Sequence, residues 1–294
     1  MEERRRATAE GLGAIGLWAL LAPLGVAAGP VPPFLLTGLA FLVGGLTGLV
    51  WLLASGRSAS VLLRVPVRAW LLGVGAFFGY HAAYFTALQH LPPIEALLII
   101  NLWPLFIVLL TGLLPGERLL PHHLIGVACG LAGAVLLVLG RDESGAAVER
   151  TLLGYAAAAA CVVIWSGYSV LNRRVAPDTP TDAVVGFCLV TAALALSAAF
   201  IVEPPVWPQG PAWLAVLLLG LGPVGAAFYL WDAGTKRGNL QLLGSAAYLA
   251  PLLGTLLLLL MGRGSPSLGL LVATILILGG AAIAAGVIRL RPVR

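Results

Sequence analysis

An internal repeat with an offset of 147 residues, half of the 294-residue chain, constrains this sequence more than any other feature. At that offset Trp18 recurs as Trp165 and Pro104 recurs as Pro251, with no gap between the halves. Further coincidences at the same offset are Gly73 with Gly220, Gly75 with Gly222, and residues 131–134 with 278–281. Repeated hydrophobic halves are typical of membrane transporters, so we expect one structural unit to occur twice.

The composition identifies an integral membrane protein. Hydrophobic residues make up 60% of the chain, charged residues only 10%, and the mean hydropathy is +1.01. A soluble domain carries about 25% charged residues. The net charge of +5 also suits a nucleic-acid-binding protein, but the basic residues occupy short loops and form no continuous stripe. We therefore exclude nucleic acid as a partner and expect the lipid bilayer instead.

Ten apolar runs are long enough to cross a bilayer as helices, which takes about 20 residues each. Turn-forming pairs such as Gly29-Pro30 and Pro92-Pro93 separate them. The predicted fold class is therefore an all-α integral membrane protein with ten transmembrane helices. The predicted spans are 8–28, 33–54, 69–88, 93–114, 120–139, 151–171, 181–202, 211–232, 239–261 and 266–288.

The distribution of basic residues predicts the orientation. With a cytoplasmic N-terminus, only Arg141, Arg150 and Arg263 of the 17 Lys and Arg residues lie outside. Cytoplasmic loops are enriched in Lys and Arg, so we place both termini in the cytoplasm and the protein in a bacterial inner membrane. Residues 26–28 resemble a signal-peptide cleavage site, but the first run is repeated inside the chain, so we interpret it as a retained helix.

Five helices per half is an odd number, so the second half must enter the membrane from the opposite side. The halves are then inverted repeats, related by a pseudo-two-fold axis in the membrane plane. We predict one transmembrane domain with a first repeat at 1–140, an exterior linker at 141–150 and a second repeat at 151–294.

The sequence contains no motif of a catalytic or cofactor site, such as HExxH, a P-loop or GxSxG. We therefore predict no enzyme activity, no catalytic residue and no cofactor. His122 and His123 occupy the interfacial start of a helix. The cysteines at 129, 161 and 188 lie inside apolar runs without metal-ligand spacing, so we predict no metal site.

Charged groups inside a membrane are costly and usually mark function. We expect Glu95, Asp182 and Asp232 to lie near helix ends, within reach of water or a helix terminus. His81 is the ionisable residue deepest in a span, and Tyr84 shares its helix face. Two interpretations of His81 remain open: a histidine bonded to a neighbouring helix, or a group that lines a cavity or carries a proton.

Aromatic residues and prolines mark the middle of several spans. Trp18 and Trp165 lie at mid-depth, whereas belt tryptophans lie at the interfaces. Pro104 and Pro251 are predicted helix kinks, because each proline frees a backbone carbonyl in mid-helix. Such irregular backbone is tolerated where it lines a cavity or packs against protein, so both a substrate cavity and simple packing remain possible.

The ten spans, the inverted repeat and a set of local motifs resemble the EamA branch of the drug/metabolite transporter superfamily. The resemblance covers the whole chain. The motifs that carry it are Asn101-Leu-Trp-Pro104, Glu117, Leu131-Ala-Gly-Ala134, Tyr248-Leu-Ala-Pro251 and Leu278-Gly-Gly-Ala281. The segments at 79–84 and 164–168 carry a closer likeness to members that export aromatic amino acids. One departure is Gly264, which stands where many members repeat the acidic residue that matches Glu117.

The resemblance implies a central cavity between helices 1–4 and 6–9, with helices 5 and 10 at the periphery, and efflux of amino acids or related metabolites. The leading hypothesis is a secondary transporter that exports aromatic and other neutral amino acids by alternating access, with a monomer as the expected assembly. A transporter of another metabolite or drug is the alternative, and a membrane enzyme or scaffold comes third. The predicted substrate-binding residues are Trp18, Tyr80, His81, Tyr84, Asn101, Trp165 and Tyr248.

Overall fold

A computed structural model describes residues 1–139, 151–204, 206–262 and 266–285. Throughout those ranges the secondary structure is helical, without a strand. The predicted linker at 141–150, with Arg141 and Arg150, lies outside the described residues, as do Arg263 and Gly264.

Each of the ten predicted runs forms one helix or an interrupted helix. The α-helices are α1 Glu2–Trp18, α2 Leu21–Ala28, α3 Pro33–Ala54, α4 Val67–His90, α5 Pro93–Ile100, α6 Trp103–Thr111, α7 Pro121–Leu139, α8 Leu152–Val175, α9 Ala183–Val202, α10 Ala212–Leu221, α11 Ala227–Arg237, α12 Leu240–Ala246, α13 Leu249–Leu260 and α14 Leu268–Ala284. Within the described ranges, seven continuous or interrupted helices are long and apolar enough to cross a membrane, and the three shorter apolar ones are Glu95–Thr111, Pro121–Leu137 and Leu268–Ala284.

Two of the interruptions lie at the predicted kinks. The α5/α6 break falls at residues 101–102, and Pro104 is the second residue of α6. The α12/α13 break falls at residues 247–248, and Pro251 is the third residue of α13. Because proline lacks an N–H and its ring displaces the preceding turn, a helix boundary is expected at these points.

Two further interruptions were not predicted. The first run breaks between α1 and α2, and a π-helical turn, Gly222–Ala226, separates α10 from α11. Pro223 lies in that turn and cannot donate the hydrogen bond that a regular helix needs there. At the repeat offset, the equivalents of these segments lie in the uninterrupted helices α8 and α4.

The helices pack in pairs that follow the repeat. The most extensive contacts join α3 with α9, α7 with α14, α4 with α8, and α1 with α11. The first two pairs each join equivalent helices, and the offset converts the α1/α11 pair into the α8/α4 pair. Contacts between the halves therefore dominate the core.

The α7/α14 pair depends on glycine for its close approach. A Cβ added to Gly126 would lie 2.6 Å from the carbonyl oxygen of Gly280, and one added to Gly133 would lie 2.8 Å from that of Ala273. The repeat offset exchanges these two contacts. Small residues allow such backbone contact in membranes, which makes this pair a packing element at one side of the bundle.

The α3/α9 pair is held at both ends. At one end, the carboxylate of Glu203 accepts hydrogen bonds from the N–H groups of Phe34 and Leu35 at 2.6 and 2.9 Å. Those N–H groups lie in the first turn of α3, where a helix has no internal acceptor for them. At the other end, Arg57 pairs with Asp182 at 2.6 Å.

Candidate functional site

An aromatic cluster occupies the centre of the bundle. Trp18 of α1 lies 4.9 Å from Trp231 and 6.4 Å from Trp103, measured between ring centroids, and Tyr80 lies 5.6 Å from Trp165. We use the name aromatic cluster for Trp18, Phe77, Tyr80, Trp103, Trp165, Phe228 and Trp231. The five helices α1, α4, α6, α8 and α11 contribute these rings, so both halves build the cluster.

Two residues of this cluster are equivalent positions that contact each other. Trp18 and Trp165 are one repeat offset apart, and their ring centroids are 5.7 Å apart in an edge-to-face arrangement. Their surroundings differ, because the Trp18 indole N–H donates to the carbonyl of Pro223 at 3.1 Å. That carbonyl belongs to the π-helical turn, where the helical bonding is interrupted.

A second equivalent pair meets at the helix breaks. The Tyr248 hydroxyl donates to the carbonyl oxygen of Asn101 at 3.1 Å, and these two residues are also one offset apart. The Tyr248 ring is 1% exposed and packs against Gly130 of α7, so it lies on the far side of the break from the aromatic cluster. Asn101 adjoins the cluster through Trp103, two residues further along.

The predicted residues of α4 point in two directions. Tyr84 stacks near Tyr80, with 6.1 Å between ring centroids, on the side that faces α8. His81 instead lies edge-on to Phe41 of α3 at 5.2 Å, and its Nδ1 lies 2.7 Å from the carbonyl oxygen of Phe77 in its own helix. The hydrogen bond of His81 therefore goes to neither a neighbouring helix nor a shared polar site.

A polar layer closes the bundle at the face where α1 begins, which we call the N-terminal face. The Glu117 carboxylate accepts from Arg4 at 3.1 Å, from Arg173 at 3.0 Å and from Gln241 at 3.2 Å. Arg173 also donates to the carbonyl of Thr235 at 2.9 Å. We call Arg4, Glu117, Arg173 and Gln241 the Glu117 cluster. It joins α1, α8, α11, α12 and the segment after α6 at one point.

Asp232 lies five residues before the end of α11, near a helix end as expected. It is 0% exposed, so protein groups rather than water satisfy its charge. Lys236 pairs with it at 2.9 Å, and Asn172 and Thr181 donate to its carboxylate at 2.9 and 2.8 Å. Other side chains satisfy the charge, as a buried carboxylate requires.

The opposite face of the bundle has different contacts among the residues that the structure describes. There the Tyr155 hydroxyl donates to Glu95 at 2.9 Å, and the Thr151 N–H donates to the carbonyl of His90 at 3.2 Å. Residues 79–86 of α4 are all partly exposed, whereas most of their equivalents at 226–233 are buried. The equivalents of Glu117 and Arg173 are Gly264 and Val26, which cannot form an ion pair.

The site has no feature of a metal centre. Within the described ranges, no group of three or more His, Cys, Asp and Glu side chains is placed to hold a metal ion. His122 and His123 contact each other at 4.2 Å, and His123 Nδ1 accepts the Leu120 N–H at the start of α7. The chemistry that the centre offers is stacking, cation–π contact and hydrogen bonding to backbone groups.

Sequence reasoning missed several residues at the centre. Trp231 and Phe228 belong to the cluster, and at the repeat offset they are the equivalents of Tyr84 and His81. The offset was therefore the signal that could have found them. Trp103 was noted beside Pro104 but was not included among the predicted site residues.

Comparison with known proteins places this architecture among membrane carriers. The sequence profile described as the EamA-like transporter family matches residues 11–139 and 152–286. A protein of Ancylobacter novellus, named aromatic amino acid exporter YddG, is 52% identical over 281 residues, which cover 96% of this chain and 97% of that protein.

A more distant relative carries the same name, and a solved structure has the same fold. The aromatic amino acid exporter YddG of Escherichia coli is 26% identical over 266 residues, covering 86% of this chain and 88% of that protein. A solved crystal structure with 51% sequence identity superposes with a TM-score of 0.91, covering 97% of this chain and 98% of that one.

Proposed function

Because the chain belongs to the EamA-like transporter family, and is thus a multi-pass membrane transporter rather than an enzyme, we propose that it exports aromatic amino acids. The observation that carries the proposal is the aromatic cluster, which both halves build where two equivalent tryptophans meet. Relatives that bear the name of aromatic amino acid exporters support the substrate class.

The proposed architecture has ten spans in two inverted repeats, residues 1–140 and 151–294, joined by a linker at 141–150. The pairing of equivalent helices supports it, as do the contacts between equivalent residues, Trp18 with Trp165 and Asn101 with Tyr248. Two equivalent groups can touch only where they lie close to the symmetry axis. Both termini are cytoplasmic in this proposal, so the N-terminal face is the cytoplasmic face of a bacterial inner membrane.

The substrate lies against the aromatic cluster in this proposal. Its ring stacks on Tyr80 and Trp165, and its ammonium group makes a cation–π contact with an indole face. The carboxylate lies near Asn101, where the N-terminus of α6 begins in mid-bundle. Half-helix N-termini at the midplane favour anionic groups of substrates in membrane carriers.

Transport proceeds by alternating access of this site to the two faces. The Glu117 cluster and the Asp232 group close the cytoplasmic side, and on the α4/α8 side Tyr155 of α8 donates to Glu95 of α5. Opening of the cytoplasmic side requires the Glu117 contacts to separate, so that α1 and α11 can move away from α8.

The test is counter-flow in liposomes that contain the purified protein and unlabelled tryptophan. Labelled tryptophan, phenylalanine and tyrosine are expected to accumulate transiently, and labelled aspartate and lysine are not. Accumulation of charged or non-aromatic solutes without any aromatic amino acid would contradict the proposed substrate class.

A matched pair of tryptophan variants tests the site. Trp165→Ala removes a buried ring of the aromatic cluster, and Trp213→Ala removes a ring that is 46% exposed at the bundle surface. We expect Trp165→Ala to lower the tryptophan counter-flow rate at least several-fold, because a stacking contact contributes about 0.5–1.5 kcal/mol beyond its buried area. Trp213→Ala should retain the parent rate, and equal effects of the two variants would argue against the assigned site.

A further inference from the structure

An apolar cleft of about 440 Å³ runs along the outside of the bundle between α4 and α9. Its walls include Trp70, Val74 and Phe78 of α4 and Val190 and Leu194 of α9. The cleft opens outward, away from the aromatic cluster, to the region that lipid tails occupy around a membrane protein.

A glycine of α4, Gly75, widens the cleft on that side. A Cβ added to Gly75 would meet nothing within 4 Å, so the absence of a side chain there leaves room beside the helix. At the end of the cleft nearest the start of α4, the Trp70 ring packs against α9. It covers Gly186, and its centroid lies 5.3 Å from that of Phe187. The cleft is thus a shaped groove with a bulky aromatic residue at one end.

A cation lies on the same helix face at that end. Arg68 precedes the lining residues Leu71 and Gly75 by three and seven positions, which is the spacing of one face of an α-helix. Arg68 is exposed, and no hydrogen bond or ion pair joins it to another residue that the structure describes. It lies in the first turn of α4, where the helix dipole also favours an anion.

The part of α4 between Arg68 and the last lining residue, Gly79, spans about the depth of one leaflet of a bilayer. From Arg68 to Gly79 the helix advances about 16 Å at 1.5 Å per residue. The hydrocarbon core of a bilayer is about 30 Å thick, so one leaflet is about 15 Å deep. A tail that follows the groove from the interface would therefore end near Gly79, at the midplane.

We infer that this groove binds one anionic phospholipid of the cytoplasmic leaflet, with an acyl chain in the cleft and the phosphate at Arg68. The inference rests on the membrane orientation given with the proposed function. The second repeat has no such site, because the equivalent of Arg68 is Ala215 and the equivalent of Gly75 lies in the π-helical turn. We therefore expect the protein to prefer an anionic lipid at this site in the cytoplasmic leaflet and not at the equivalent position of the other leaflet.

The test is lipid binding to the purified protein by native mass spectrometry, with phosphatidylglycerol and phosphatidylcholine of the same acyl chains. The parent should bind one phosphatidylglycerol more tightly than phosphatidylcholine. Arg68→Gln should weaken phosphatidylglycerol about fivefold and leave phosphatidylcholine unchanged, since one interfacial cation contributes about 1 kcal/mol toward an anionic lipid. Arg118→Gln, at an exposed arginine elsewhere, should change neither.

A substitution that fills the groove distinguishes the contribution of the acyl chain to lipid binding from that of the headgroup. Gly75→Leu adds a side chain at the cleft, with its Cβ in open space, and should weaken the binding of both lipids alike. Gly16→Leu is the matched control, because that glycine of α1 is also exposed with open space at its Cβ. Equal binding of the two lipids by the parent, or unchanged binding by Gly75→Leu, would overturn the site. Because the readout is lipid mass, a failed site is distinguishable from failed amino acid transport.

Discussion

The two ends of the central site are equivalent in sequence position but differ in how they are held closed. At the N-terminal face, α1 and α11 are joined to α8 through the Glu117 cluster and the buried Asp232 group. Among the described residues of the opposite face, the Tyr155 hydroxyl of α8 donates to Glu95 of α5, and the Thr151 N–H donates to the carbonyl of His90 in α4. The Glu117–Arg173 ion pair has no equivalent there, because the repeat offset converts these residues into Gly264 and Val26.

This difference shows which parts of a repeat are free to diverge. The α7/α14 pair joins equivalent helices, and the repeat offset exchanges its two glycine contacts. The α1/α11 and α4/α8 pairs exchange roles under the offset, and here the helices differ, with a π-helical turn in one and regular helices in the other. The unequal helices therefore belong to the pairs that alternating access would move.

The largest expected effect is at Asp232. Asp232→Ala leaves Lys236, which is 6% exposed at its side chain, without its counter-charge. Removing one partner of a buried pair costs about 3–5 kcal/mol, so we expect a loss of that size in the free energy of unfolding, measured by denaturant titration in detergent. Arg6→Gln is the control, because the Arg6–Glu10 pair is exposed and should contribute less than about 1 kcal/mol.

A double substitution that includes the same residue distinguishes the effect of the lost charge from the effect of lost packing. Asp232→Leu combined with Lys236→Met removes both charges and should recover part of the lost stability, since buried pairs are often replaceable by apolar groups. If Asp232→Ala proves as mild as Arg6→Gln, the buried closure at the N-terminal face is not an energetic feature of this protein.

The second-largest expected effect is at Glu117, and a substitution at the opposite face provides the comparison. Glu117→Gln weakens the hydrogen bonds that one carboxylate accepts from three side chains, two of which are arginines. Hydrogen bonds to charged groups contribute about 1.5–3 kcal/mol, so the free energy of unfolding should fall by about that amount. Glu95→Gln at the opposite face should cost less, because an amide oxygen can still accept the hydrogen bond from the Tyr155 hydroxyl. Equal losses at the two faces would remove the contrast between them.

The smallest effect distinguishes the two equivalent tryptophans. Trp18→Phe removes the hydrogen bond to the Pro223 carbonyl and should lower the unfolding free energy by about 1 kcal/mol more than Trp165→Phe. Both substitutions keep an aromatic ring in the cluster, so the difference between them reports the hydrogen bond. The same denaturant titration measures it, and identical values would show that the π-helical turn does not depend on Trp18.

Much of this architecture could be predicted from the sequence because it follows from two simple signals. Apolar length located the helices, and the kinks at Pro104 and Pro251 followed from the missing N–H of proline. The contact between Trp18 and Trp165 could not be predicted, since periodicity gives the face of a helix but not its partner. For the same reason the partners of Asp232 on other segments, Asn172 and Thr181, were invisible in the sequence, whereas Lys236 lies on the same helix at i,i+4.

Cysteine labelling at one equivalent pair tests the central contrast most directly. Ala22 and Ser169 are one repeat offset apart, and Ser169 is 0% exposed whereas Ala22 is partly exposed. In a variant without the native cysteines, dissolved in detergent so that a maleimide reaches both faces, Ala22→Cys should label rapidly and Ser169→Cys should be protected. Adding Glu117→Gln should increase labelling at residue 169. Labelling of Ser169→Cys as fast as Ala22→Cys, with Glu117 intact, would contradict a closed N-terminal face.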